Sequence, residues 1–521
     1  MNFRPLLRHP ALLATVFGFA PHLAHAEVKL PALFSDHLVL QQDTTVPVWG
    51  WAAPGEEVTV SIKGQKQSTK ADAEGKWKVQ LAKLSPGEPT ELSVKGTNEI
   101  TVHDVLVGEV WLGSGQSNMA MTVSRAQNIE EEQRAANLPD IRMFTVSSGA
   151  SNEAQQDCKG SWVVCSPSTV GSFSAALYFF GRDIHQVQKV PMGLINSSVG
   201  GTPIESWIDE KTQHADTKLD GFFTVPQRPV KAVDPEVAKA QYEKKLEEWK
   251  EAVKKAKAEN TPMPRRPADP ATAGLRKGGV GGLFNGKIAP LIPFALRGAL
   301  WYQGEANANP DKALYYQYQL PLLVKDWRAR WGSEFPFAWV QLPNFSNRGD
   351  GWCLVREAMM KTLALPKTGM AITLDVGIPN NIHPTNKQAV GFRLAQWALG
   401  TVYGKGVETS GPLYTGNEIH DGQVTVNFSH TAKGLVVKGG QLKEFVIAGE
   451  DHAWHPATAE VKGDQVVVSS PEVVKPVAVR YAWKDNPEAT LFNSADLPAS
   501  PFRTDDWPMD PVAPAVRTAR K

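Results

Sequence analysis

Residues 105–119 read VLVGEVWLGSGQSNM. Val105, Leu106, Val107, Val110, Trp111 and Leu112 form a near-continuous apolar run, the pattern of a strand covered on both faces. Gly113 and Gly115 allow the tight backbone of a sharp turn, with Ser117 at its tip. A hydroxyl there would stand at the C-terminal edge of a parallel sheet, where open α/β folds keep their sites. If Asn118 and Met119 begin a helix, the amides near Ser117 point into the site and can hold an anion. An ordinary strand-to-helix connection with a capping serine would give the same local pattern, so the rest of the chain has to decide between the two.

At 521 residues the chain is longer than one domain. Lys+Arg of 55 against Asp+Glu of 54 leaves a formal net charge of +1, which points to neither nucleic acid nor an anionic membrane as partner. The first 26 residues have the layout of an export signal. Arg4 and Arg8 supply a positive start, residues 11–20 an apolar run too short to span a bilayer, and Ala24-His25-Ala26 a small-x-small cleavage site before Glu27. No later segment approaches about 20 uninterrupted apolar residues, so no transmembrane helix is expected. The reading predicts a secreted or periplasmic protein. Cys158, Cys165 and Cys353 are the only cysteines; Cys158 with Cys165 would close a short loop, and a buried free thiol is an equal expectation for each. The twelve histidines show no HExxH or paired-cysteine spacing, so no metal is expected.

Outward from residues 105–119 the pattern changes on each side. Residues 27–104 alternate short strand-like segments (48–51, 57–62, 77–81, 91–95) with turn clusters, as a small β-sandwich does. After residue 105, apolar strands at 190–196, 294–302, 337–342 and 369–374 alternate with helical patterns at 173–185, 315–331, 355–363 and 388–404, the signature of a parallel sheet with helices on both faces. An insertion at 213–279 interrupts it. There Tyr242, Leu246, Trp249, Val253 and Ala256 recur at helical spacing, and Pro262, Pro264, Pro267 and Pro270 then break any helix. From residue 405 short strands resume as a second β-sandwich, ending in a Pro-, Ala- and Arg-rich tail to residue 521. The expected division is 1–26 signal, 27–104 β-sandwich, 105–212 and 280–404 the two parts of the α/β unit, 213–279 insertion, and 405–521 β-sandwich with tail.

The predicted strand ends carry a consistent set of groups. Ser117 follows the first, Gly200-Gly201-Thr202 the second, Gln303-Gly304-Glu305 the third, and Asp375 with Asn380-Asn381-Ile382-His383 the fifth. Hydroxyl, two donors and an imidazole along one edge are the parts of an acyl-transfer site. The blocks GEVWLGSGQSNM (108–119), GLINSSVGGTPIESW (193–207), LFNGKIAPLIPFALRGALWYQGEANA (283–308), IHPTNKQAVGFRLA (382–395) and LFNSADLPASPFRTD (491–505) resemble the SGNH hydrolases, and within them the sialate O-acetylesterase family and related carbohydrate acetylesterases. The resemblance implies an SGNH-type three-layer α/β/α parallel sheet flanked by N- and C-terminal β-sandwich domains. It implies Ser117 as nucleophile, His383 as general base, and the amides of Ser117 and Gly200 with the Gln303 side chain as oxyanion hole, Gly201 being the alternative to Gly200. It implies no cofactor.

One position departs from that pattern. Asn380 stands three residues before the histidine, where SGNH hydrolases carry aspartate, and an amide cannot stabilise an imidazolium by charge; losing such a carboxylate costs about 10⁴ in rate in a serine protease. A Ser–His dyad, with or without help from Asn380, an aspartate supplied by Asp375, and a disabled site remain as readings. Asn118 and Glu305 are candidate substrate contacts, Glu305 alternatively a loop-holding partner of Arg356. Trp207, Trp301 and Trp352 are either sugar platforms or core. The function expected is removal of O-acetyl groups from carbohydrates, sialic acid or plant-type oligosaccharides such as xyloglucan or xylan. The rivals are an esterase or lipase for other acyl esters and a non-catalytic carbohydrate-binding relative.

Overall fold

The computed structural model describes residues 27–224, 235–258, 267 and 279–509. The signal-like segment 1–26, most of the proline-rich stretch after residue 258 and the tail beyond 509 lie outside the described residues.

The stretch read first lies in one long strand, Glu99–Gly115, and its burial changes along its length: up to Asp104 only Val102 is buried, then burial is continuous from Val105 to Gly115. The change follows its neighbours. Strands are numbered in chain order: β1 Val39–Gln41, β2 Val46–Trp51, β3 Glu57–Ile62, β4 Gln65–Lys70, β5 Lys76–Leu81, β6 Thr90–Lys95 and β7 Glu99–Gly115. The first half of β7 pairs antiparallel with β6. Its middle pairs parallel with β1. Its second half lies in the middle of the central sheet, covered on both faces. One strand thus joins the N-terminal β-layer to the α/β unit with no linker between them.

The central sheet adds β8 Leu138–Thr145, β9 Trp162–Cys165, β10 Met192–Ser198, β11 Gly298–Tyr302, β12 Phe337–Val340 and β13 Thr368–Ala371. Its order is β13-β12-β11-β7-β10-β8-β9. The pairings from β13 to β8 are all parallel. The edge strand β9 runs antiparallel to β8, which makes the sheet mixed at that margin alone. Alternate side chains of β11 enter opposite cores: Leu300 and Tyr302 join Leu177, Phe180 and Leu394 on one face, while Ala299 and Trp301 join Trp327, Leu323 and Val355 on the other. Helices Ala175–Gln188 and Lys387–Thr401 cover the first face, and Tyr316–Trp331 and Asp350–Thr362 the second. These are the three layers the apolar periodicity predicts.

After residue 404 the chain forms two four-stranded sheets. One holds Leu413–His420, Gln423–Ser429, Gln465–Ser469 and Thr458–Lys462; the other Trp454–Pro456, Phe445–Ala448, Ala478–Tyr481 and Phe502–Arg503. Helix Pro235–Ala258 has Tyr242, Leu246, Trp249 and Val253 half-buried and Ala256 buried, so its apolar stripe is its covered face. All three cysteines are buried and unpaired, and no bridge joins Cys158 to Cys165. Among the described residues no helix is long and apolar enough to cross a membrane, and no cluster of ligating side chains fits a metal ion.

Candidate active site

The turn after β7 is forced by close approach. Gly115 has φ +135°, and a Cβ there would lie 2.2 Å from the carbonyl oxygen of Tyr302 at the end of β11. The Gln116 amide donates to that same carbonyl at 2.9 Å. The Gln116 side-chain oxygen accepts from the amide of Ala306 at 3.3 Å. Ser117 then opens a four-residue helix, Ser117–Ala120.

Nε2 of His383 lies 2.8 Å from Oγ of Ser117, joining residues 266 apart in sequence. Gly200, in the turn after β10, backs onto the serine: a Cβ there would stand 3.3 Å from the Ser117 Cβ. Among the described residues neither the Ser117 amide nor the Gly200 amide donates a hydrogen bond, so both remain available to a ligand. Gly201 supplies the positive φ of that turn, +73°.

The surroundings of the imidazole favour its neutral form. Burial, then the positive charges of Arg125 and Lys387, hold His383 below the ordinary histidine value of 6.5. Arg125 ends the short helical turn Val123–Arg125, and the amide of Gln127 just beyond donates to the Thr385 carbonyl at 3.0 Å, tying this segment to the histidine loop.

Several expected partners lie elsewhere. Asp375 does not reach the imidazole. Its two carboxylate oxygens accept from Arg393 at 2.6 and 2.7 Å, a bidentate pair. Asn380 is exposed and bonds nothing in the histidine ring. Its neighbour Asn381 holds the loop, its side-chain oxygen accepting from the His383 backbone amide at 3.0 Å. Among the described residues Nδ1 of His383 has no hydrogen-bond partner, so no third side chain joins the Ser117–His383 contact. Gln303 is fully buried, and its side-chain nitrogen donates to the Thr202 carbonyl (3.2 Å) and to Oδ1 of Asn307 (2.7 Å). Both its N–H groups are engaged within the protein, so the expected third oxyanion donor braces the Gly200 turn instead.

Asn118 and Glu305 are buried behind the site and make no substrate-facing surface. The Asn118 side-chain nitrogen donates to Oε1 of Glu305 (2.6 Å) and to the carbonyl of Ile382 (2.9 Å). Its oxygen accepts from Nζ of Lys387 at 2.7 Å. The cations acting on Glu305 are Lys387 and then Arg348, and Arg356 is committed to the carbonyls of Leu342, Pro343, Lys484 and Asp485. Burial raises the Glu305 carboxyl and lowers the Lys387 ammonium to about 7, the two charges opposing those shifts in each other. Lys387 was not singled out from sequence. The signal is periodicity: Lys387, Val390, Gly391, Leu394 and Ala398 share the buried face of one helix, so a lysine opens an otherwise apolar stripe.

Trp207, Trp301 and Trp352 are core residues with their indole N–H groups bonded internally, to Thr202, Tyr316 and the Pro343 carbonyl. A cavity of about 570 Å³ lined by Trp49, Trp51 and Trp77 lies against the N-terminal strands, and neither Ser117 nor His383 lines it.

A serine hydroxyl on an imidazole nitrogen, beside two unengaged amides at the C-terminal edge of an α/β sheet, is the arrangement of an ester hydrolase. The sequence matches the SASA family, described as carbohydrate esterase, sialic acid-specific acetylesterase, over residues 107–261 and 287–399. It is 31% identical to sialate O-acetylesterase of Mus musculus, across 91% of this chain and 94% of that one, and 29% identical to that of Homo sapiens, across 94% and 95%. The crystal structure of a carbohydrate acetylesterase from Xanthomonas citri superposes with a TM-score of 0.79 at 37% identity, covering 92% of this chain and 100% of that one. The chain belongs to the SASA family of carbohydrate esterases and is a carboxylic ester hydrolase.

Proposed function

We propose that the protein removes O-acetyl groups from carbohydrates through an acetyl-enzyme on Ser117. The observation that carries this reading is the 2.8 Å contact between Ser117 Oγ and His383 Nε2. With the ring proton on Nδ1, Nε2 accepts the serine proton as Oγ bonds to the acetyl carbon. The carbonyl oxygen becomes an oxyanion held by the amides of Ser117 and Gly200. His383 then returns the proton to the sugar oxygen as that C–O bond breaks. Water deprotonated by His383 attacks the acetyl carbon, and acetate leaves as Ser117 is reprotonated. A lowered histidine pKa suits both halves, because the ring is neutral when it must accept and strongly acidic when it must donate.

The substrates this reading favours are O-acetylated sialic acid and plant-type oligosaccharides such as acetylated xyloglucan or xylan; the mouse relative is a sialate O-acetylesterase and the Xanthomonas one a carbohydrate acetylesterase. It takes the protein as exported, on the sequence of residues 1–26, with 27–104 and 405–509 as β-modules flanking the α/β unit. Acetate release from a panel of acetylated sialic acids, xyloglucan and xylan oligosaccharides and long-chain acyl esters tests it. Release from at least one sugar, well above that from long-chain esters, is expected. Turnover of long-chain esters alone would make it a general esterase, and no turnover by pure protein would make it a binding relative.

A further inference from the structure

An SGNH-type dyad with nothing on Nδ1 needs another means of holding its imidazole. We propose that Asn118, Glu305 and Lys387 are positioning residues that mount the His383 loop directly on the Ser117 turn, in place of a carboxylate on the ring. The proposal rests on the Ser117–His383 reading above.

The geometry is a four-point clamp. Nζ of Lys387 donates to the carbonyl of Pro384 at 2.8 Å, and Nδ2 of Asn118 donates to the carbonyl of Ile382 at 2.9 Å. These carbonyls bracket His383 on its two sides. Asn118 is the residue after Ser117, and the 2.7 Å bond from Lys387 to its Oδ1 closes the clamp. Base and nucleophile therefore share one support. The amide orientation of Asn118 follows from its partners, since only its oxygen can face an ammonium and only its nitrogen can face a carboxylate and a carbonyl. Glu305 anchors the far side through Asn118 Nδ2 at 2.6 Å, and its other oxygen is buried with no hydrogen-bond partner among the described residues.

Such a cluster is costly as a stability device. Lysine and glutamate burial each carries a large desolvation penalty, and apolar replacement of a buried ion pair is often neutral or stabilising. Lys387 makes the sign explicit. Its folded pKa, about 7, lies below the ordinary 10.5, so below pH 7 its protonation disfavours the fold in full, and the penalty lessens as pH rises from 7 toward 10.5. A group retained at that cost, touching both flanks of the base, is explained by alignment of the reaction. An acyl-transfer geometry loosened by about 1 Å loses on the order of 10²-fold in rate.

The clamp also sets the charge around the ring. The groups facing it are Lys387 and Arg125 on His383, Arg125 and Glu305 on Lys387, and Asn118, Lys387 and Arg348 on Glu305, with the Tyr302 ring 5.1 Å from Nζ. Loss of the Lys387 charge leaves Arg125 as the one cation acting on His383 and raises the histidine toward its ordinary value.

The test compares wild type, Lys387→Met, Glu305→Gln, the Lys387→Met/Glu305→Gln double variant and Ser117→Ala, using 4-nitrophenyl acetate for kcat, KM and the pH profile, and thermal melting for the fold. The double variant carries no unpaired charge and is expected to melt at or above the wild-type temperature. Its kcat should fall about 10²-fold with KM within threefold, and the acid limb of kcat/KM should move to higher pH, which a space-filling role would not cause. If it does not fold, Asn118→Ala cuts the Ile382 carbonyl link and the tie from Lys387 to the Ser117 turn, and its kcat is expected to fall about 10²-fold. A folded double variant with wild-type kcat and pH profile, beside an inert Ser117→Ala, overturns the proposal alone. An active Ser117→Ala overturns instead the reading it rests on.

Discussion

Asp375 gives both carboxylate oxygens to Arg393, at 2.6 and 2.7 Å, and none to His383. Arg393 is nearly buried and also donates to the Ile372 carbonyl at 2.7 Å, so the pair ties the helix Lys387–Thr401 to the end of β13. The aspartate closest in sequence to the catalytic histidine candidate is thus a structural residue.

Asp375→Asn should therefore separate stability from chemistry. Removing the carboxylate leaves the nearly buried guanidinium short of a partner and should cost about 2 kcal/mol, the scale of hydrogen bonds to a charged group. Denaturant unfolding would read that loss. At a temperature where the variant is folded, kcat should stay within about threefold of wild type; a fall of 10⁴, the scale seen on losing a triad carboxylate, would restore Asp375 to the machinery. Asn380→Ala should leave kcat within threefold.

The pH profile has a defined sign. Burial, Arg125 and Lys387 hold His383 below 6.5, and in the proposed mechanism the neutral ring is the base, so kcat/KM should rise with pH through a midpoint below 6.5. Arg125→Gln removes one cation and should move that midpoint upward. A wild-type midpoint above 6.5 would contradict the electrostatic account.

Gly200→Ala tests the anion site. The new methyl would sit 3.3 Å from Ser117 Cβ, tight but relieved by small movement, so the fold should persist. Displacing the Gly200 amide should lower kcat by about 10²-fold, the lower end for loss of one oxyanion donor. Gly115→Ala should behave differently: its methyl would meet the Tyr302 carbonyl at 2.2 Å from a backbone with φ +135°, and soluble folded protein should be scarce.

Much of this was legible because it rests on period and spacing. The apolar run ending in Gly113 and Gly115 marks β7, and the stripe Tyr242–Leu246–Trp249–Val253 marks a helix whose covered face it forms. Strands β8 and β9 escaped notice for a physical reason. Leu138-Pro139-Asp140 opens β8 at the surface, Arg142 interrupts its buried part, and β9 has only four residues. Arg142 is buried beside Asp104, a pairing across 38 residues that no local pattern carries. The donor assigned to Gln303 failed for a similar cause: Asn307, four residues on, takes its amide, and a residue type cannot tell which way it points. Lys387 was concealed by the ordinary expectation that lysines face water.

The most direct measurement is mass spectrometry of the intact protein and its peptides after reaction with a serine-directed phosphonate ester. The account predicts one adduct per chain, on the peptide carrying Ser117, lost in Ser117→Ala and formed far more slowly in His383→Ala. Labelling of a different residue, or an unlabelled wild-type protein that still releases acetate, would contradict it.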